Sequence, residues 1–481
     1  MEQLDGIGKS VAAKALELIQ SGTTKELQAL LEKTPAGVIE MLHIKGIGPK
    51  KVQALWKELE IESVGELLYA CNENRLVDLK GFGAKTQDLV RKAIEFKMAS
   101  AGKFHYAAAE EIALLLIDFI SKKYSPKLIS VAGALRRKLE VIEKIEIVVS
   151  ANNIDVSEFD NPLTIQIEII SCQENDFYAV LFLNSGTPEH IRKSGIQIGA
   201  NYLSEQEIYT SNQLQYVEPE LREGLNEIEW AKENKIPKLI EMGDLKGILH
   251  NHSKYSDGNN SLEEMAMYAK ELGYEYLGIC DHSQSAFYAS GMKEDKIIAQ
   301  HAEIEKLNAA LAPFKIFKGV ESDILYDGNL DYPQEILKSF DFIVASIHSI
   351  LKMDSEKATS RLIKAIENPF TTILGHPTGR LLLSREAYPI DHRKVIDACA
   401  ANGVIMELNA HPYRLDIDWR WIGYCLEKGV KISINPDAHK TSGYQDMYYG
   451  VCVARKGMLS AEMCFNALNQ EAIALHFKSR K

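Results

Sequence analysis

From about residue 240 onward the sequence alternates short apolar runs with amphipathic stretches, and this alternation constrains the fold more than any other feature. Stretches such as LEEMAMYAKELG (262–273) carry apolar residues at the three- and four-residue spacing of a helix with one buried face. The seven apolar runs are LKGILHNH, YEYLGICDHS, FKIFKGVESD, FDFIVASIHS, TTILGHPT, GVIMELNAH and VKISINPDAH. Strands that alternate with helices form parallel sheets, and seven such units predict a closed (β/α)7 barrel.

Six of the seven runs end in residue types that bind metal ions. The carboxyl ends of parallel strands meet at one face of a barrel, so these side chains should converge. Residues two apart on a strand point the same way, which aims both His250 and His252 at one centre. The same spacing pairs Asp437 with His439, and Asp257 follows in the loop after the first run. The predicted metal ligands are His250, His252, Asp257, His282, Glu321, His348, His376, Asp437 and His439.

The mixture of imidazole and carboxylate groups indicates which ions such a site takes. These ligands favour Zn²⁺, Mn²⁺ or Fe²⁺ over Ca²⁺, and their number is enough for two or three ions. Clustered ions of this kind activate water and hold a phosphate in line for displacement. Glu407 and His411 lie in the sixth run without an assigned role. The histidines of helical stretches are interpreted as ordinary structural residues: His301, His392 and His476.

Length and composition fit a soluble multidomain protein. The chain has 481 residues, enough for two to four domains, of which 46% are hydrophobic and 25% charged. Its seven cysteines form no CxxC pair, which argues against a disulfide framework or a zinc ribbon. Apolar runs are too short to span a membrane and no signal-peptide pattern is present, so we expect a cytoplasmic protein without a membrane partner.

The first hundred residues contain an internal repeat. LDGIGKSVAAKAL (4–16), IKGIGPKKVQALW (44–56) and LKGFGAKTQDLVRKA (79–93) each place two glycines around an apolar residue before a helical run. Such a turn leaves the backbone open, and the helix behind it directs its N-terminal amides outward, where a phosphate binds. The repeat resembles the helix-hairpin-helix motif, which implies contacts to the DNA backbone without reading of bases. The predicted DNA-binding residues are Gly6, Gly8, Lys9, Gly46, Gly48, Lys50, Gly81, Gly83 and Lys85.

The distribution of charge agrees with this interpretation. A net charge of −12 argues against nucleic-acid binding over the whole surface. Residues 1–104, however, contain 15 Lys and Arg against 14 Asp and Glu, so the net negative charge of the chain lies entirely beyond them. Glycine turns in an ordinary helical bundle are the alternative explanation of the repeat.

Residues 240–481 resemble a PHP (polymerase and histidinol phosphatase) domain. The matching motifs are HNHSKYSDG, CDHS, GVESDI, SIHS, GHPTGR and NPDAH, and all nine ligand positions of that family are filled. The resemblance implies one ion held by His250, His252, Glu321 and Asp437, a second by Glu321, His348 and His376, and a third by Asp257, His282 and His439. The segment ELNAHPYRLD (407–416) also matches and makes Arg414 a candidate phosphate contact.

The whole chain resembles a bacterial family X DNA polymerase with a C-terminal PHP domain. The segment VEPELREGLNEIEWAKENKIPKLIEMGDLKG (217–247) closely matches the junction that precedes the PHP domain in that family. The resemblance implies an all-α helix-hairpin-helix region over 1–104, an α+β nucleotidyltransferase-like palm and thumb over 105–235, and the barrel over 236–481.

The polymerase centre departs from the family pattern, a Gly-Ser-x-Arg-Arg turn followed by a D-x-D strand. In GALRRKLEVIEKIEIVV (133–149), Ala134 replaces the serine, and Lys144 and Glu146 occupy the two aspartate positions. The third aspartate falls at Glu168. Nucleotidyl transfer needs two Mg²⁺ bridged by carboxylates, and a lysine there repels a cation ~4 Å away by on the order of 4 kcal/mol. The sequence therefore predicts a degenerate polymerase site.

We expect a metal-dependent phosphodiesterase, a 3′-5′ exonuclease or 3′-end-processing enzyme of DNA repair, in which polymerase activity is lost. The alternatives are a histidinol-phosphatase-like enzyme for small phosphate esters, a residual polymerase that uses Glu146 and Glu168, and a non-catalytic DNA-binding scaffold. The hairpins favour a DNA enzyme over a phosphatase of metabolites, which has no use for them. The complete ligand set argues against a scaffold.

Overall fold

The computed structural model describes residues 9–44, 46–77, 79–99, 102–199 and 201–480. The chain divides into two compact units, Met1–Glu95 and Phe96–Lys481. Among the helices within the described ranges, none has both the length and the apolar character needed to cross a membrane. The predicted fold class, a helical region followed by an α+β part and a parallel barrel, is confirmed. The predicted domain limits at 104/105 and 235/236 stay predictions.

The N-terminal region is helical over its described residues. Its helices are α1 (Lys9–Ser21), α2 (Lys25–Lys33), α3 (Ala36–Met41), α4 (Pro49–Glu58), α5 (Val64–Asn72) and α6 (Ala84–Ala99). The turns before α4 and α6 need glycine, because Gly46 has a φ of 95° and Gly81 a φ of 90°. Gly6 and Gly8 of the first repeat lie outside the described residues, and Lys9 is the first residue of α1.

An α+β part follows. Its elements are β1 (Phe104–His105), α7 (Tyr106–Tyr124), β2 (Ile129–Val131), α8 (Gly133–Arg136), β3 (Val141–Ile142), β4 (Lys144–Val149), β5 (Gln166–Ser171), α9 (Phe177–Ser185), α10 (Pro188–Ser194), α11 (Glu205–Ser211) and α12 (Glu227–Lys232). Strand β4 is the centre of a three-stranded sheet, antiparallel to β2 and parallel to β5. Ile145 and Ile147 of β4 share a core with Leu116 and Ile120 of α7, so this part has its own hydrophobic interior.

The barrel occupies the C-terminal half. Its elements are β6 (Gly247–Ile248), α13 (Leu262–Glu271), β7 (Tyr276–Ile279), α14 (Glu294–Leu311), β8 (Lys315–Asp323), α15 (Gln334–Leu337), β9 (Phe342–Ser346), α16 (Ser355–Ile366), β10 (Ile373–Leu374), α17 (His392–Asn402), β11 (Ile405–Asn409), α18 (Trp419–Glu427), β12 (Ile432–Asn435), α19 (Met447–Lys456) and α20 (Gln470–Ser479). The strands are parallel and follow one another in sequence order from β6 to β12.

The two ends of this sheet meet beyond the carboxyl ends of β6 and β12. A parallel bridge joins Asn251 to Ala438. Its hydrogen bonds run from the amide of His252 to the carbonyl of Ala438 at 2.8 Å, and from the amide of Asp437 to the carbonyl of His250 at 3.0 Å. We refer to this pairing as the closing bridge, since it completes the barrel.

Large aromatic side chains fill the opposite end of the barrel. Phe342, the first residue of β9, occupies space that glycines leave on the two preceding strands: a Cβ at Gly278 or Gly319 would lie 2.5 Å from its Cζ. Its ring stacks on Phe477 of α20, with the ring centroids 4.8 Å apart. Helix α20 therefore covers the amino-terminal end of the barrel, and the carboxyl end carries the polar residues.

The α+β part packs against the barrel within the second unit. Lys456 of α19 is buried and donates a hydrogen bond to the backbone carbonyl of Arg137 at 3.0 Å. It also forms an ion pair with Glu223. Lys138 donates to the hydroxyl of Tyr448 at 2.8 Å. These contacts fix the turn after α8 on the barrel.

The substitution Gly319→Ala tests the packing of Phe342. The added methyl would also lie 2.6 Å from the carbonyl oxygen of Ile279, so the strand or the ring must shift. Such overpacking typically costs about 1–3 kcal/mol, and we expect a lower midpoint in urea unfolding followed by circular dichroism. The control is Gly423→Ala on α18, where a Cβ meets nothing within 4 Å and alanine favours the helix. Equal stability of Gly319→Ala and the wild type would contradict this packing.

Candidate metal centre

The closing bridge lies between two pairs of predicted ligands. His250 and His252 flank its first residue, and Asp437 and His439 flank its second. Both pairs follow the ends of β6 and β12 rather than lying on these strands. Asp437 has a φ of 52°, a left-handed conformation that is uncommon outside glycine. The pairs therefore face each other because the bridge holds them, and strand alternation alone does not describe their geometry.

Glu321 of β8 lies at the middle of the predicted ligands and is fully buried. Its Oε1 lies 3.0 Å from Nε2 of His376 and 3.1 Å from Nε2 of His348. Its Oε2 lies 2.9 Å from Nδ1 of His282 and 3.7 Å from Nε2 of His252. A carboxylate with imidazoles beside both oxygens would be able to hold an ion on each side.

The ligands form overlapping groups whose donor atoms lie within 4.8 Å of one another. The groups are His250, His252, Glu321 and Asp437; His282, Glu321 and His348; and His252, Asp257, His282 and His439. The first is the group that the family resemblance implies. The second group differs from the implied one, because it contains His282 in place of His376. The third group contains the three implied residues and His252 as a fourth. The structure thus brings all nine side chains together, and their binding of ions stays a proposal.

The electrostatics of the centre suit cations. Burial opposes the ionisation of Glu321, but His348 and His250 beside it hold its pKa well below the usual range. Burial also opposes the ionisation of Asp437, but His250 and His252 hold the pKa of this carboxyl well below its usual range. Burial lowers the pKa of His252 to about 3, so its imidazole is neutral at pH 7. Ionised carboxylates and neutral imidazoles are the forms that bind metal ions. Burial opposes the charged form of His250 and His348, but the neighbouring carboxylates raise the pKa of both, so these two imidazoles would release a proton on binding an ion.

Glu407 of β11 orients ligands without belonging to the nine. Its Oε1 accepts hydrogen bonds from Nδ1 of His250 at 2.7 Å and from Nδ2 of Asn435 at 2.9 Å. Its Oε2 accepts one from the backbone amide of His376 at 2.6 Å. Carboxylates in this position fix the tautomer and the orientation of a ligating histidine. The sequence alone assigns no role to Glu407. The signal that points to it is its position near the end of an apolar run, where the predicted ligands also lie.

Two further buried aspartates, absent from the predicted set, hold loops that carry ligands. Asp281 accepts hydrogen bonds from the amides and hydroxyls of Ser253 and Ser256 at 2.6 to 3.0 Å, which fixes the loop after β6. Asp323 is hydrogen-bonded to Nδ1 of His348. Both aspartates lie within two residues of a predicted ligand in the sequence, and this proximity is the signal that points to them.

Arg414 lies at the edge of the centre, in the loop after β11. Its side chain is buried, with Nε 3.8 Å from Oδ2 of Asp437. The side-chain Nδ2 of Asn409 donates to the same oxygen at 3.0 Å. Burial lowers the pKa of His411, in the same loop, to about 3. A guanidinium in this place suits the charge of a phosphate, and that contact stays a prediction for Arg414.

The polymerase positions form a partly exposed ion cluster on β4 and β5. Nζ of Lys144 lies 2.9 Å from Oε1 of Glu146 and 2.6 Å from Oε2 of Glu168. The strand register pairs Glu146 with Glu168. The carboxylate of Glu146 lies against the preceding turn, since a Cβ at Gly133 would be 1.7 Å from its Oε2. A lysine thus neutralises the carboxylates at the place where the family pattern needs bound cations.

The second and third glycine turns each lead into a helix. Gly48 is the N-cap of α4 and Lys50 lies in its first turn. Gly83 precedes α6, of which Lys85 is the second residue. A Cβ at Gly48 or Gly83 would meet nothing within 4 Å, so both turns are open to solvent or a ligand. Phosphate binding at these turns stays a prediction.

Comparison with known families identifies the domains at both ends of the chain. Residues 249–411 match the PHP domain, a range that includes seven of the nine predicted ligands and leaves Asp437 and His439 beyond it. Residues 38–95 match the SAM-like helix-hairpin-helix tandem, which covers the second and third glycine turns.

Individual relatives extend over more of the chain. The DNA polymerase/3′-5′ exonuclease PolX of Bacillus subtilis (strain 168) is 31% identical over 522 residues, covering 99% of this chain and 91% of that protein. A probable phosphatase of Acetivibrio thermocellus is 29% identical over 188 residues, covering 37% of this chain and 73% of that protein. The histidinol phosphate phosphatase of Lactococcus lactis, crystallised with zinc, L-histidinol and phosphate, aligns with a TM-score of 0.36 and 17% identity, covering 44% of this chain and 93% of that one.

The variant Glu407→Gln tests the orientation of the ligands. Glutamine keeps only one acceptor oxygen and no charge, so it cannot accept from both His250 and the backbone amide of His376, and we expect Mn²⁺ affinity to fall by about 10–100-fold. Affinity is measured by titration with Mn²⁺ followed by electron paramagnetic resonance. The matched control is Glu427→Gln, an exposed residue at the end of α18, which should bind Mn²⁺ like the wild type. Unchanged affinity in Glu407→Gln would show that this carboxylate does not orient a ligand.

Proposed function

Because this chain belongs to the bacterial PolX family, we propose that it is a metal-dependent DNA phosphodiesterase that shortens strands from their 3′ ends in DNA repair and does not extend them. Membership of this family establishes that the chain is an enzyme with a PHP domain and a helix-hairpin-helix domain. The direction of degradation, the role in repair and the loss of synthesis are the parts that we propose.

The contrast between two clusters of carboxylates carries the proposal. In the barrel, Glu321 and Asp437 are buried among imidazoles that can exchange protons for metal ions. In the α+β part, Lys144 already lies between Glu146 and Glu168. A cation that is part of the chain cannot be replaced by Mg²⁺ without breaking two ion pairs. Hydrolysis at the barrel and absence of nucleotidyl transfer are the outcome that this arrangement supports.

The donor set fits two or three divalent transition-metal ions, of which Mn²⁺, Zn²⁺ and Fe²⁺ match its mixture of nitrogen and oxygen ligands. When bound, such ions supply Lewis-acid activation of water and of the phosphate. The chain's own residues hold the geometry: Glu321 joins the groups of ligands, and Glu407 orients His250. Arg414 would contact the phosphate from the loop after β11.

DNA is the partner that the N-terminal turns suit. The open backbone at Gly48 and Gly83, with Lys50 and Lys85 in the helices behind, presents amides and positive charge to phosphates. Such contacts hold a strand without selecting its sequence, as an enzyme that degrades any 3′ end requires.

A second candidate is a phosphatase of small phosphate esters. The observation in its favour is that a probable phosphatase of Acetivibrio thermocellus matches 37% of this chain. This candidate can be distinguished because it would not bind DNA. Excess DNA would therefore leave its rate of phosphate monoester hydrolysis unchanged.

Nuclease and extension assays on one 3′-labelled primer–template test the proposed function. With Mn²⁺, the protein should shorten the primer, and added nucleotides should not lengthen it. Asp437→Ala removes a carboxylate from the first ligand group, so shortening should fall by more than about a hundredfold, beyond the 10–100-fold typical of outer-shell partners. Glu146→Ala should shorten the primer at nearly the wild-type rate.

Extension by the wild type that Glu146→Ala abolishes would refute the loss of polymerase activity. Hydrolysis of phosphate monoesters without any shortening of DNA would favour the second candidate. A normal circular dichroism spectrum of Asp437→Ala separates loss of the centre from loss of the fold.

Salt dependence tests the contact between the turns and DNA. The logarithm of the binding constant should fall linearly with the logarithm of salt concentration, with a slope of about −0.9 for each phosphate contact on duplex DNA. Removing two contacts in Lys50→Ala/Lys85→Ala should make the slope shallower by about 1.8. Lys57→Ala, which removes an exposed charge at the other end of α4, is the control and should keep the wild-type slope. Equal slopes in all three proteins would exclude these lysines as phosphate contacts.

A further inference from the structure

The loop between His282 and α14 places an aromatic ring in solvent at the carboxyl end of the barrel. Phe287 is 63% exposed in the whole chain. Single exposed apolar residues are common, so its exposure alone assigns no role. Two further observations, the position of the ring and the rigidity of the loop, indicate that the exposed ring has a function.

The ring of Phe287 is two contacts away from the predicted ligands. Its centroid lies 5.9 Å from that of Tyr288. Tyr288 in turn lies 6.2 Å from the ring of His282 and 6.4 Å from that of His348. Phe287 therefore stands next to the residue that lines the metal centre, one aromatic ring removed from His282 and His348.

Hydrogen bonds fix the loop at both ends. The amide of Ser285 donates to Oδ2 of Asp331 at 2.7 Å. At the other end, the amide of Met292 donates to the carbonyl of His282 at 2.8 Å. The chain also packs closely at Gly291, where a Cβ would lie 2.0 Å from a backbone oxygen. The exposed ring thus stands on a rigid support, which lowers the entropic cost of binding a flat ligand.

We infer that Phe287 is a stacking platform for the base of the 3′-terminal nucleotide, whose phosphodiester enters the metal centre. This inference rests on the proposed function and names how that site receives its substrate. Every base has a flat π-face, so stacking on an aromatic side chain tolerates any sequence. A phosphatase of small esters has no base to place there, and the ring would then have no ligand.

The test compares two DNA substrates that differ in the terminal base alone. One strand ends in a normal 3′ nucleotide, and the other ends in an abasic tetrahydrofuran nucleotide. For Phe287→Ala with Mn²⁺, we expect KM for the normal strand to rise by about tenfold, within the range for one base–aromatic stack, with little change in kcat. On the abasic strand, Phe287→Ala and the wild type should have the same KM.

Matched variants separate stacking from general hydrophobic contact. Phe287→Trp keeps a flat ring and should restore a KM near that of the wild type, whereas Phe287→Leu should behave like the alanine variant. Leu475→Ala removes an exposed apolar side chain of α20, 69% exposed, and should leave both substrates unaffected. Mn²⁺ titration of each variant should match the wild type, which verifies that the centre is intact.

Two results would overturn the inference. An unchanged KM of Phe287→Ala on the normal strand would show that the ring makes no contact, and an equal rise on both strands would show a contact to something other than the base. A wild-type protein that does not shorten DNA would instead overturn the proposed function itself, and the inference with it.

Discussion

The closing bridge is the interaction on which the candidate centre depends. Asn251 secures it from both sides: its Nδ2 donates to the carbonyl of Gly278 at 2.7 Å, and its Oδ1 accepts from the hydroxyl of Tyr444 at 3.1 Å. Since both neighbours of Asn251 and both neighbours of Ala438 are predicted ligands, each hydrogen bond of the bridge also sets a distance between ligands. The placement of these four predicted ligands is therefore a property of barrel closure.

The two carboxylate clusters of the chain differ in burial and in the source of the positive charge beside them. Buried carboxylates are unfavourable unless a positive charge compensates them. Around Glu321 the compensation comes from imidazoles, whose protons a metal ion can displace. Glu146 and Glu168 instead pair with the ammonium group of Lys144 on a partly exposed part of the sheet, where the Lys144 side chain is 40% exposed. The positive charge beside Glu321 is exchangeable, whereas the one beside Glu146 is covalently part of the chain.

The barrel and the convergence of the nine side chains could be predicted because both follow from local periodicity. Apolar runs alternate with helices, and ligand types recur where each run ends. The supporting carboxylates could not be assigned in the same way, because the partners of Glu407 and Asp281 come from other strands and loops. The left-handed conformation of Asp437 has no sequence signal either, since it results from the closing bridge. Residues whose role depends on contacts between distant segments thus became assignable only in three dimensions.

The arginines of the degenerate turn illustrate the same point. The sequence keeps Arg136 and Arg137 although the neighbouring serine and aspartates of the family pattern are gone. Arg136 donates to the hydroxyl of Ser185 at 2.7 Å, and Arg137 lies 3.2 Å from the carboxylate of Glu223, which also pairs with Lys456 of the barrel. These arginines hold the α+β part together and join it to the barrel. The presence of both arginines therefore has a packing cause and is by itself no evidence for nucleotide binding.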